Sequence, residues 1–447
     1  MCNFVQFYLI PVTYQNILKK IIPKRMRNML HLFYAWWGAV KYGHPSDELL
    51  VIGVTGTSGK STTVYFLCQL LEAAGYTVGA LSTIEFYVAG KSKLNDRKMT
   101  MLGKMEIQRY LREMLDAGCD VAIIETTSEG AVQHRHRFIN YDTIVLTNLY
   151  PEHIESHGSF EKYKAAKLGI FEFVAKSRRK ILDGKKIKKT AIVNKEVKER
   201  GEFLRYPFDE RHQFGAKSNV EAKDIVADNA GLRFRIYERE FHASLYGRHN
   251  VTNILAVVAV ARSLGISWDA IQEAVSRFRG APGRIEFIKE AEQHGFQVIV
   301  DYAFEPVALG ALYDVVALIQ PKRVIHVCGS TGGGRDKARR KLIGKIAGEK
   351  ADIVMVTNED PYDEDPMAII HDVSAGAQEA GKKLGENLFE ILDRKEAIAK
   401  AISLAEAGDL VLVTGKGSEQ GIMIAGGKMV EWDDRVAVLA CLLSQQK

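Results

Sequence analysis

The 447-residue sequence lacks the cysteine pattern that a disulfide scaffold or a zinc site requires. Its five cysteines are odd in number, scattered and without CxxC spacing, which fits a reducing cytosol. The sequence also lacks low-complexity tracts, internal repeats and a basic stripe interleaved with aromatics, so we expect no nucleic-acid partner. A mild net charge of +6 suits an enzyme that handles phosphates and carboxylates.

The first 45 residues lack an apolar run long enough to span a bilayer. Five basic residues between positions 19 and 27 precede an apolar run over 29–40, and no small-residue cleavage site follows. This segment either packs as a helical pair on the next domain, which is the favoured interpretation, or lies as a basic amphipathic anchor on a membrane surface. We therefore expect a cytoplasmic protein, with peripheral contact at the inner membrane surface as the open alternative.

From residue 46 onward the sequence alternates buried strands with helices, a pattern that predicts an α/β fold with parallel sheets. In the first block we expect strands at 49–54, 121–125, 143–147 and 190–193, helices at 61–74 and 250–263, and short β segments over 202–245. In the second, Rossmann-like block we expect strands at 297–301, 323–328, 353–357 and 410–414, with helices between them. The predicted domains are a short basic-apolar helical segment over 1–45, a central domain over 46–280 and a C-terminal domain over 281–447.

A glycine-rich turn between the first strand and the next helix has the spacing of a nucleotide-binding P-loop. It reads GVTGTSGKST over 53–62. Its glycines allow backbone N–H groups to surround phosphates, and the helix N-terminus adds its dipole. Lys60 is expected to contact the β- and γ-phosphates, and the Ser61 hydroxyl to bind Mg²⁺. The flanking strand and helix disfavour the alternative, an accidental GKS in an ordinary turn.

Acidic and imidazole side chains follow the neighbouring strands of the predicted sheet. Glu125 ends one strand, where a carboxylate either holds Mg²⁺ or forms a strand-end salt bridge. His153 and His157 follow the next strand, and their position beyond an edge that carries a P-loop favours a functional role over a structural one. Lys167 lies on a helix predicted to begin near Phe160.

Taken together, these motifs resemble the Mur ligases in order and spacing. The resemblance covers roughly residues 46–430 and rests on the strings GVTGTSGKST, ETTSEG, TNLYPEHIESHGSFEKYKAAKLGIF, LYGRHNVTN, GAPGRIEFI, VIVDYAFEP, GGGRDKARR and VTGKGSE. It implies a P-loop ATPase domain plus a C-terminal Rossmann-like ligase domain, with ATP and Mg²⁺ as cofactors. It also implies an ADP-forming amide ligase of peptidoglycan synthesis, from the branch that adds the third residue of the stem peptide.

The resemblance assigns site residues motif by motif. The catalytic set implied is Lys60, Glu125, His153 and Lys167. The metal ligands implied are Ser61, Glu125, His153 and, once carbamylated, Lys167. The ATP-binding residues implied are Gly56, Thr57, Ser58, Gly59, Lys60, Ser61, Thr62, Asn250, Asn253, Arg284 and Asp301. The residues implied for the nucleotide-sugar peptide are Thr100, Thr127, Gln133 and Arg135. Those implied for the incoming amino acid are Arg335, Glu359, Asp360, Pro361, Tyr362, Gly415 and Glu419.

The same resemblance implies a mechanism and a substrate pair. A carboxylate of UDP-MurNAc-L-Ala-D-Glu attacks the γ-phosphorus of ATP to give an acyl-phosphate, and the amine of a free amino acid then displaces phosphate. Tyr362 stands where diaminopimelate-adding members have an arginine, which would pair with the distal carboxylate. The acidic residues Glu359, Asp360, Asp363 and Glu364 favour L-lysine or a similar diamino acid, unless Asp363 and Glu364 serve only to cap the helix that follows.

Departures from the family pattern keep two alternatives open. The short basic-apolar segment stands where the family has a uridine-binding domain, so the acceptor is either a nucleotide-sugar peptide or a folate-like or lipid-linked carboxylate. A second alternative, from a different class, is a non-catalytic ATP-gated binding subunit. The complete set of P-loop lysine, acid, histidine and helix lysine disfavours it. We expect a monomer.

Overall fold

The computed structural model describes residues 24–151, 157–334 and 337–444. The described chain divides into two compact units: one comprises residues 28–281, and the other comprises the residues from Pro282 onward, with residues 24–27 grouped with it. Each unit is built on a largely parallel sheet with an apolar cluster against each of its faces. The predicted α/β class is therefore confirmed. Among the described residues, no helix is long and apolar enough to cross a membrane.

The elements that precede Pro282 alternate for most of their length between strand and helix. In chain order they are α1 (Lys24–Lys41), β1 (Leu50–Thr55), α2 (Lys60–Ala73), β2 (Val78–Leu81), β3 (Glu85–Val88), β4 (Lys91–Leu94), α3 (Lys104–Asp116), β5 (Val121–Glu125), α4 (Ser128–Val132), β6 (Thr143–Leu146), α5 (Phe160–Lys176), β7 (Ile181–Leu182), β8 (Lys185–Lys186), β9 (Thr190–Asn194), α6 (Arg200–Leu204), β10 (Glu210–Phe214), β11 (Lys223–Asp228), β12 (Gly231–Ile236), β13 (Arg239–Ala243), α7 (His249–Ser263) and α8 (Trp268–Ser276).

The main sheet of this unit has the strand order β10-β9-β6-β1-β5-β2-β3-β4 among the described residues. Strand β1 lies between β5 and β6 and is parallel to both. Because parallel strands end at the same edge, the chain segments that follow β1, β2, β5 and β6 all emerge together there. The pattern did not predict β2, β3 and β4, of which β3 and β4 run antiparallel and make the sheet mixed at one side.

The unit that follows Ala281 repeats the same alternation. Its elements are β14 (Glu286–Phe287), β15 (Gln297–Asp301), α9 (Pro306–Ile319), β16 (Val324–Cys328), α10 (Ala338–Lys350), β17 (Ile353–Thr357), α11 (Pro366–Glu379), β18 (Leu388–Ile391), α12 (Arg394–Leu404), β19 (Leu410–Thr414), β20 (Gly421–Ile424), β21 (Lys428–Glu431) and α13 (Asp434–Ser444).

In this second sheet the strand order is β14-β15-β19-β16-β17-β18, and every pairing except β14 with β15 is parallel. The four predicted strands of the second block agree with β15, β16, β17 and β19 to within a residue. Strand β18 and the β20–β21 hairpin were not predicted. The carboxyl ends of β15, β19 and β17 carry the acidic and glycine motifs that the sequence singled out.

Candidate active site

The P-loop spans residues 56–59, between the end of β1 and the start of α2. Gly56 has φ 155° and Gly59 has φ 73°, a backbone region that favours glycine. A Cβ atom on Gly56 would lie 1.9 Å from Thr147 Oγ1, and one on Gly59 would lie 2.4 Å from Asn253 Oδ1. Neighbouring side chains therefore press against the loop at both glycines, and each position accepts no larger residue without displacement.

Asn148, which follows β6, holds the P-loop in shape. Its Oδ1 accepts from the backbone N–H of Thr57 at 3.0 Å and of Ser58 at 2.9 Å, while its Nδ2 donates to the Ser58 carbonyl at 3.2 Å. Tyr163 supports the same loop, since its hydroxyl lies 3.0 Å from Thr57 Oγ1. Neither Asn148 nor Tyr163 had a role predicted from the sequence. A signal for Asn148 existed, because an amide directly after a strand lies at the ligand edge of the sheet.

Two lysine ammonium groups lie against carbonyl oxygens of the loop. Lys60 Nζ donates to the Thr57 carbonyl at 2.8 Å, and Lys167 Nζ donates to the Gly56 carbonyl at 2.8 Å. Lys167 is buried and lies 4.7 Å from the centre of the Tyr163 ring. The structure thus brings the predicted Lys167 to the P-loop. Together with the N–H groups of the first turn of α2, these cations create positive potential at this edge of the sheet.

Ser61 and Glu125 meet at the start of α2, as the prediction of a shared metal site requires. Ser61 Oγ donates to Glu125 Oε2 at 2.9 Å, and Glu125 is buried. The Thr83 N–H donates to the same oxygen at 2.8 Å, and the Thr83 hydroxyl lies 3.0 Å from it and 2.9 Å from Thr100 Oγ1. Thr83 follows β2, a strand that the pattern did not predict, so no sequence signal placed it here.

The donors at this position fit Mg²⁺, because a hydroxyl and a carboxylate are the hard oxygen ligands that the ion prefers. No group of three or more His, Cys, Asp or Glu side chains that could hold a metal ion occurs within 24–151, 157–334 and 337–444. The hydroxyl and carboxylate found among the described residues leave room in the coordination shell of Mg²⁺ for phosphate oxygens and water. The predicted ligand His153 lies outside the described residues.

His157, the other histidine of the predicted pair, lies near the P-loop. Its Nε2 is 3.1 Å from Ser128 Oγ, and its ring packs against Tyr163 with centroids 5.3 Å apart. Burial lowers the pKa of His157, Glu129 raises it and Lys167 lowers it further. On balance the pKa of His157 lies below its ordinary value, and its Nε2 takes part in a hydrogen bond with Ser128.

The residues predicted for the acceptor lie near the ends of β4 and β5. Thr100 connects to Glu125 through the hydroxyl of Thr83, as described above. Thr127 uses its hydroxyl to cap α4, accepting an N–H bond at 3.0 Å. Gln133 Oε1 accepts from Arg135 Nη2 at 2.7 Å, so these two side chains orient each other. Their role toward an acceptor stays a prediction.

Asn250 and Asn253 are buried on α7. Asn253 Nδ2 donates to Asn250 Oδ1 at 3.0 Å, and Asn253 Oδ1 is 3.5 Å from Thr63 Oγ1. The pair therefore supports the first turns of α2 beside Gly59, and a contact with adenine stays a prediction.

In the second unit, Asp301 ends β15 and organises the turn around it. Its two oxygens each accept a backbone N–H bond of 2.7 Å, from Ile285 and Ala303. The guanidinium of Arg284 lies 4.0 Å from the centre of the Tyr302 ring. These contacts place both predicted residues at one strand end, and their reach toward ATP stays a prediction.

A buried ionic cluster connects the ends of β17 and β19. Lys416 is fully buried, and its Nζ donates to both oxygens of Asp360 at 3.0 Å and to Glu419 Oε2 at 2.7 Å. Tyr302 completes the cluster by donating to Glu419 Oε1 at 2.9 Å. No role for Lys416 was predicted from the sequence, although a lysine between two glycines after a strand was a usable signal.

Glu359 lies beside this cluster with one oxygen left without a hydrogen bond. It is buried, and Oε2 has no hydrogen-bond partner among the described residues. Burial raises the pKa of Glu359, and the neighbouring Asp360 raises it further, against the opposing effect of Lys416. Gly415, with φ 105°, faces it, because a Cβ there would lie 2.7 Å from Glu359 Oε2. The predicted residues Glu359, Asp360, Gly415 and Glu419 are thus brought together.

The other acids of this segment already have partners. Asp363 Oδ1 accepts from the Gly426 N–H at 2.8 Å. Glu364 accepts an N–H bond from Gly334 and pairs with Arg340 at 2.9 Å, and these contacts lower its pKa to about 2. The helix α11 is capped by Asp365, so the interpretation of Asp363 and Glu364 as its caps is wrong.

Tyr362 and Arg335 complete the predicted amino-acid set. Tyr362 has φ 53°, and its ring lies 2.9 Å from the position of a Cβ on Gly333. Its N–H donates to the Met423 carbonyl at 3.1 Å, which ties Pro361 and Tyr362 to the β20–β21 hairpin. The predicted Arg335 lies outside the described residues.

The fold and the site define a class: a P-loop α/β protein joined to a second, Rossmann-like unit. Comparisons with known proteins identify the family within that class. Residues 54–261 match the Mur ligase middle domain, and residues 283–417 match the Mur ligase glutamate ligase domain. The chain belongs to the Mur ligase family, as the sequence motifs predicted, and members of this family are ATP-dependent ligases.

Individual relatives agree with this assignment. The chain is 37% identical to a UDP-N-acetylmuramyl-tripeptide synthetase from Roseiflexus sp. over 89% of this chain and 79% of that protein. It is 30% identical to a UDP-N-acetylmuramoyl-L-alanyl-D-glutamate–2,6-diaminopimelate ligase from Clostridium botulinum, over 89% and 78% respectively. A solved structure of a ligase with that second name is 26% identical and superimposes with a TM-score of 0.58 over 90% of this chain and 79% of that one.

Proposed function

We propose that the chain is an ADP-forming ligase that adds L-lysine or another diamino acid to UDP-MurNAc-L-Ala-D-Glu through an acyl-phosphate. The contact between Ser61 and Glu125, 2.9 Å long and beside the lysine of the P-loop, is the observation that carries this proposal. In this proposal, residues 46–280 form the ATP-binding domain and residues 281–447 the amino-acid-binding ligase domain. The relatives' names support the acceptor and the addition of a third residue, and those that print an amino acid print 2,6-diaminopimelate, which is itself a diamino acid.

The geometry supports different roles for the residues around the P-loop. The loop N–H groups, the first turn of α2 and Lys60 would hold the phosphates of ATP. Ser61 and Glu125 would hold Mg²⁺, which supplies charge stabilisation to a transferring phosphoryl group. Lys167, held against the Gly56 carbonyl, would act at the same place either as a cation or as a carbamate. Asn148 and Tyr163 would keep the loop in the shape that binding needs.

The second unit supports the addition of an amino acid with a cationic side chain. Glu359 carries a buried oxygen without a hydrogen-bond partner among the described residues, and a side-chain ammonium would satisfy it. By formal charge, Lys416 offsets one of the two carboxylates of Asp360 and Glu419, so the cluster keeps an excess of negative charge that suits a cationic side chain. Tyr362 offers no positive charge for the distal carboxylate of diaminopimelate. We therefore favour L-lysine or ornithine.

Product analysis tests this proposal. The full-length chain is incubated with ATP, Mg²⁺, UDP-MurNAc-L-Ala-D-Glu and an equimolar mixture of L-lysine, L-ornithine, meso-diaminopimelate and L-alanine, and the products are identified by mass spectrometry. We expect one tripeptide product and one ADP for each bond formed. The variant Glu125→Gln should lower the rate about a hundredfold, because the carboxylate charge that would hold the metal is lost.

The matched control is Glu161→Gln, which removes a carboxylate from a side chain that is 72% exposed on α5. It should leave the rate unchanged. ATP binding without product from any amino acid would support the non-catalytic alternative instead. Product formed only with an acceptor that lacks the uridine nucleotide would keep the ligase chemistry and replace the acceptor.

A further inference from the structure

Helix α1 is attached to its own unit by small residues. Ala35, Gly38 and Ala39 are its buried positions, and a Cβ on Gly38 would lie 3.2 Å from the Cα of Met105 at the start of α3. His31 Nδ1 lies 2.8 Å from Lys104 Nζ on the same side. This face of the helix is therefore narrow and close to the protein, with no room for large side chains.

Six of the large apolar side chains of α1 point the other way. They recur every three or four residues, which places them on one face of the helix. Their exposed fractions are 69% for Met29, 41% for Leu30, 52% for Phe33, 43% for Trp36, 45% for Trp37 and 40% for Val40. The rings of Phe33, Trp36 and Trp37 contact one another with centroids 5.9 and 6.2 Å apart. We call these six residues the aromatic face.

Such an arrangement is the reverse of an ordinary surface helix, which turns its apolar stripe toward the core. Exposed apolar patches of this kind mark contact sites. If the helix were rotated so that its large apolar side chains faced α3, these side chains would be too bulky for the close approach that the small buried residues allow. The aromatic face is thus available for a partner outside the unit.

The charged residues in the N-terminal part of the sequence indicate which partner the aromatic face binds. The first 46 residues contain no Asp or Glu, and they contain the basic residues Lys19, Lys20, Lys24, Arg25, Arg27 and Lys41. Tryptophan and tyrosine favour the interface between lipid and water, and lysine and arginine favour anionic headgroups. Pairing of two copies through this segment would instead bring two sets of like charges together, which is unfavourable.

We infer that the aromatic face of α1 docks on the surface of a bilayer that contains anionic lipids, with its rings among the headgroups and the basic residues near the phosphates. Binding is peripheral and reversible, and it is independent of the proposed ligase reaction. This interaction would concentrate the protein at a membrane without any spanning segment.

Vesicle binding tests the inference. The full-length chain is mixed with phosphatidylcholine vesicles, with or without phosphatidylglycerol, and bound protein is separated by flotation. We expect binding to the anionic vesicles only, weakened by salt and by about fivefold for each basic residue that is replaced. Trp37→Glu should lower binding at least about tenfold, because a charge enters the apolar contact. The control Val307→Glu changes a side chain that is 65% exposed on α9 and should bind as the parent does.

Fluorescence identifies the residues that enter the lipid. Vesicles with brominated acyl chains should quench the protein's tryptophan emission, and the double variant Trp36→Phe/Trp37→Phe should still bind but lose most of that quenching, leaving Trp268 and Trp432. Absence of binding to anionic vesicles would overturn the inference. So would a dimer in sedimentation analysis that Trp37→Glu dissociates, since the face would then bind a second copy. Thermal unfolding of each variant confirms that it is folded.

Discussion

The lysine and arginine side chains near the carboxyl ends of the parallel strands have different partners in the two sheets. In the first unit, Lys60 and Lys167 donate to backbone carbonyl oxygens of the P-loop. In the second unit, the buried cations face carboxylates: Lys416 pairs with Asp360 and Glu419, and Arg394 pairs with Asp434 through two bonds of 2.7 Å. One edge therefore has positive charge to offer, whereas the other holds more carboxylates than cations.

This difference has a chemical meaning. A carbonyl oxygen is a weak partner for an ammonium group, so a phosphate can replace it at small cost. A carboxylate in a buried ion pair is a strong partner, and breaking the pair leaves an uncompensated charge. The first edge is therefore suited to bind and release an anion. The second edge is suited to hold a fixed shape around a small substrate.

The largest effect we expect comes from Lys60→Met. If the lysine has its charge available for phosphate, its removal should lower the ligase rate by about 10³-fold or more. The folded state should lose little, since Lys60 makes one hydrogen bond to its own loop. Product formation measured by mass spectrometry and thermal unfolding measured on the same sample separate the two effects. The matched control Lys176→Met removes a lysine that is 63% exposed at the end of α5.

Lys416→Met should show the opposite behaviour: its main effect should be a loss of folding stability rather than a direct loss of ligase activity. Removing the lysine leaves the Asp360 and Glu419 carboxylates without their buried cation, which should lower the free energy of unfolding by about 3–5 kcal/mol. Urea denaturation measures this loss. The control Lys337→Met breaks a 3.7 Å pair with Glu364 at a side chain that is 69% exposed, and it should change stability by less than about 1 kcal/mol.

A second variant makes this prediction decisive. If the loss comes from uncompensated charge, the double variant Lys416→Met/Asp360→Asn should recover part of it, because one of the two stranded carboxylates is gone. Equal instability of the single and double variants would mean that the lysine contributes through packing. The proposed contrast between the two edges would then fail for the second unit.

The sequence predicted the fold class and the first site better than the second site. Strand β1, helix α2 and Glu125 were predictable, because hydrophobic runs, glycine spacing and an acid at a strand end are local signals. Thr83 was not, since β2 is only four residues long and includes a glycine, while β3 and β4 are short and carry polar residues at one side of the sheet. The pairing of Lys416 with Asp360 was also hidden, because it joins residues 56 positions apart through the order of the strands.

The glycines of the P-loop test whether the shape of the first edge is as specific as its charge. Gly56→Ala would place a Cβ 1.9 Å from Thr147 Oγ1, so the loop must move and nucleotide affinity should fall at least about tenfold, with a loss of stability of about 1–3 kcal/mol. The control Gly75→Ala has φ 91° and no atom near its Cβ. It should lose stability through backbone strain alone, with nucleotide affinity unchanged by calorimetric titration.

The smallest effects are expected for two buried histidines, one in each unit, whose replacement should change stability by different amounts. Burial lowers the pKa of both His136 and His326 to about 3. His326 bonds to Tyr313 and Thr414, each at 2.9 Å, whereas Nδ1 of His136 has no hydrogen-bond partner among the described residues. Replacing His326 by leucine should therefore cost more at pH 7 than replacing His136, since it strands two buried hydroxyl groups.

Both histidines should make the same contribution to the pH dependence of folding. Because the folded pKa lies below the unfolded value, the unfolded state takes up a proton below about pH 6.5 that the native state refuses until about pH 3. Stability from each group is complete above that range and falls with decreasing pH, by about 2 kcal/mol at pH 5. His136→Leu and His326→Leu should each flatten the slope of stability between pH 6.5 and pH 5 in urea titrations, relative to the exposed control His242→Leu. If His326→Leu flattened the slope and His136→Leu did not, the imidazole of His136 would gain its proton in the native state. The first unit would then be the one that admits a proton without global unfolding.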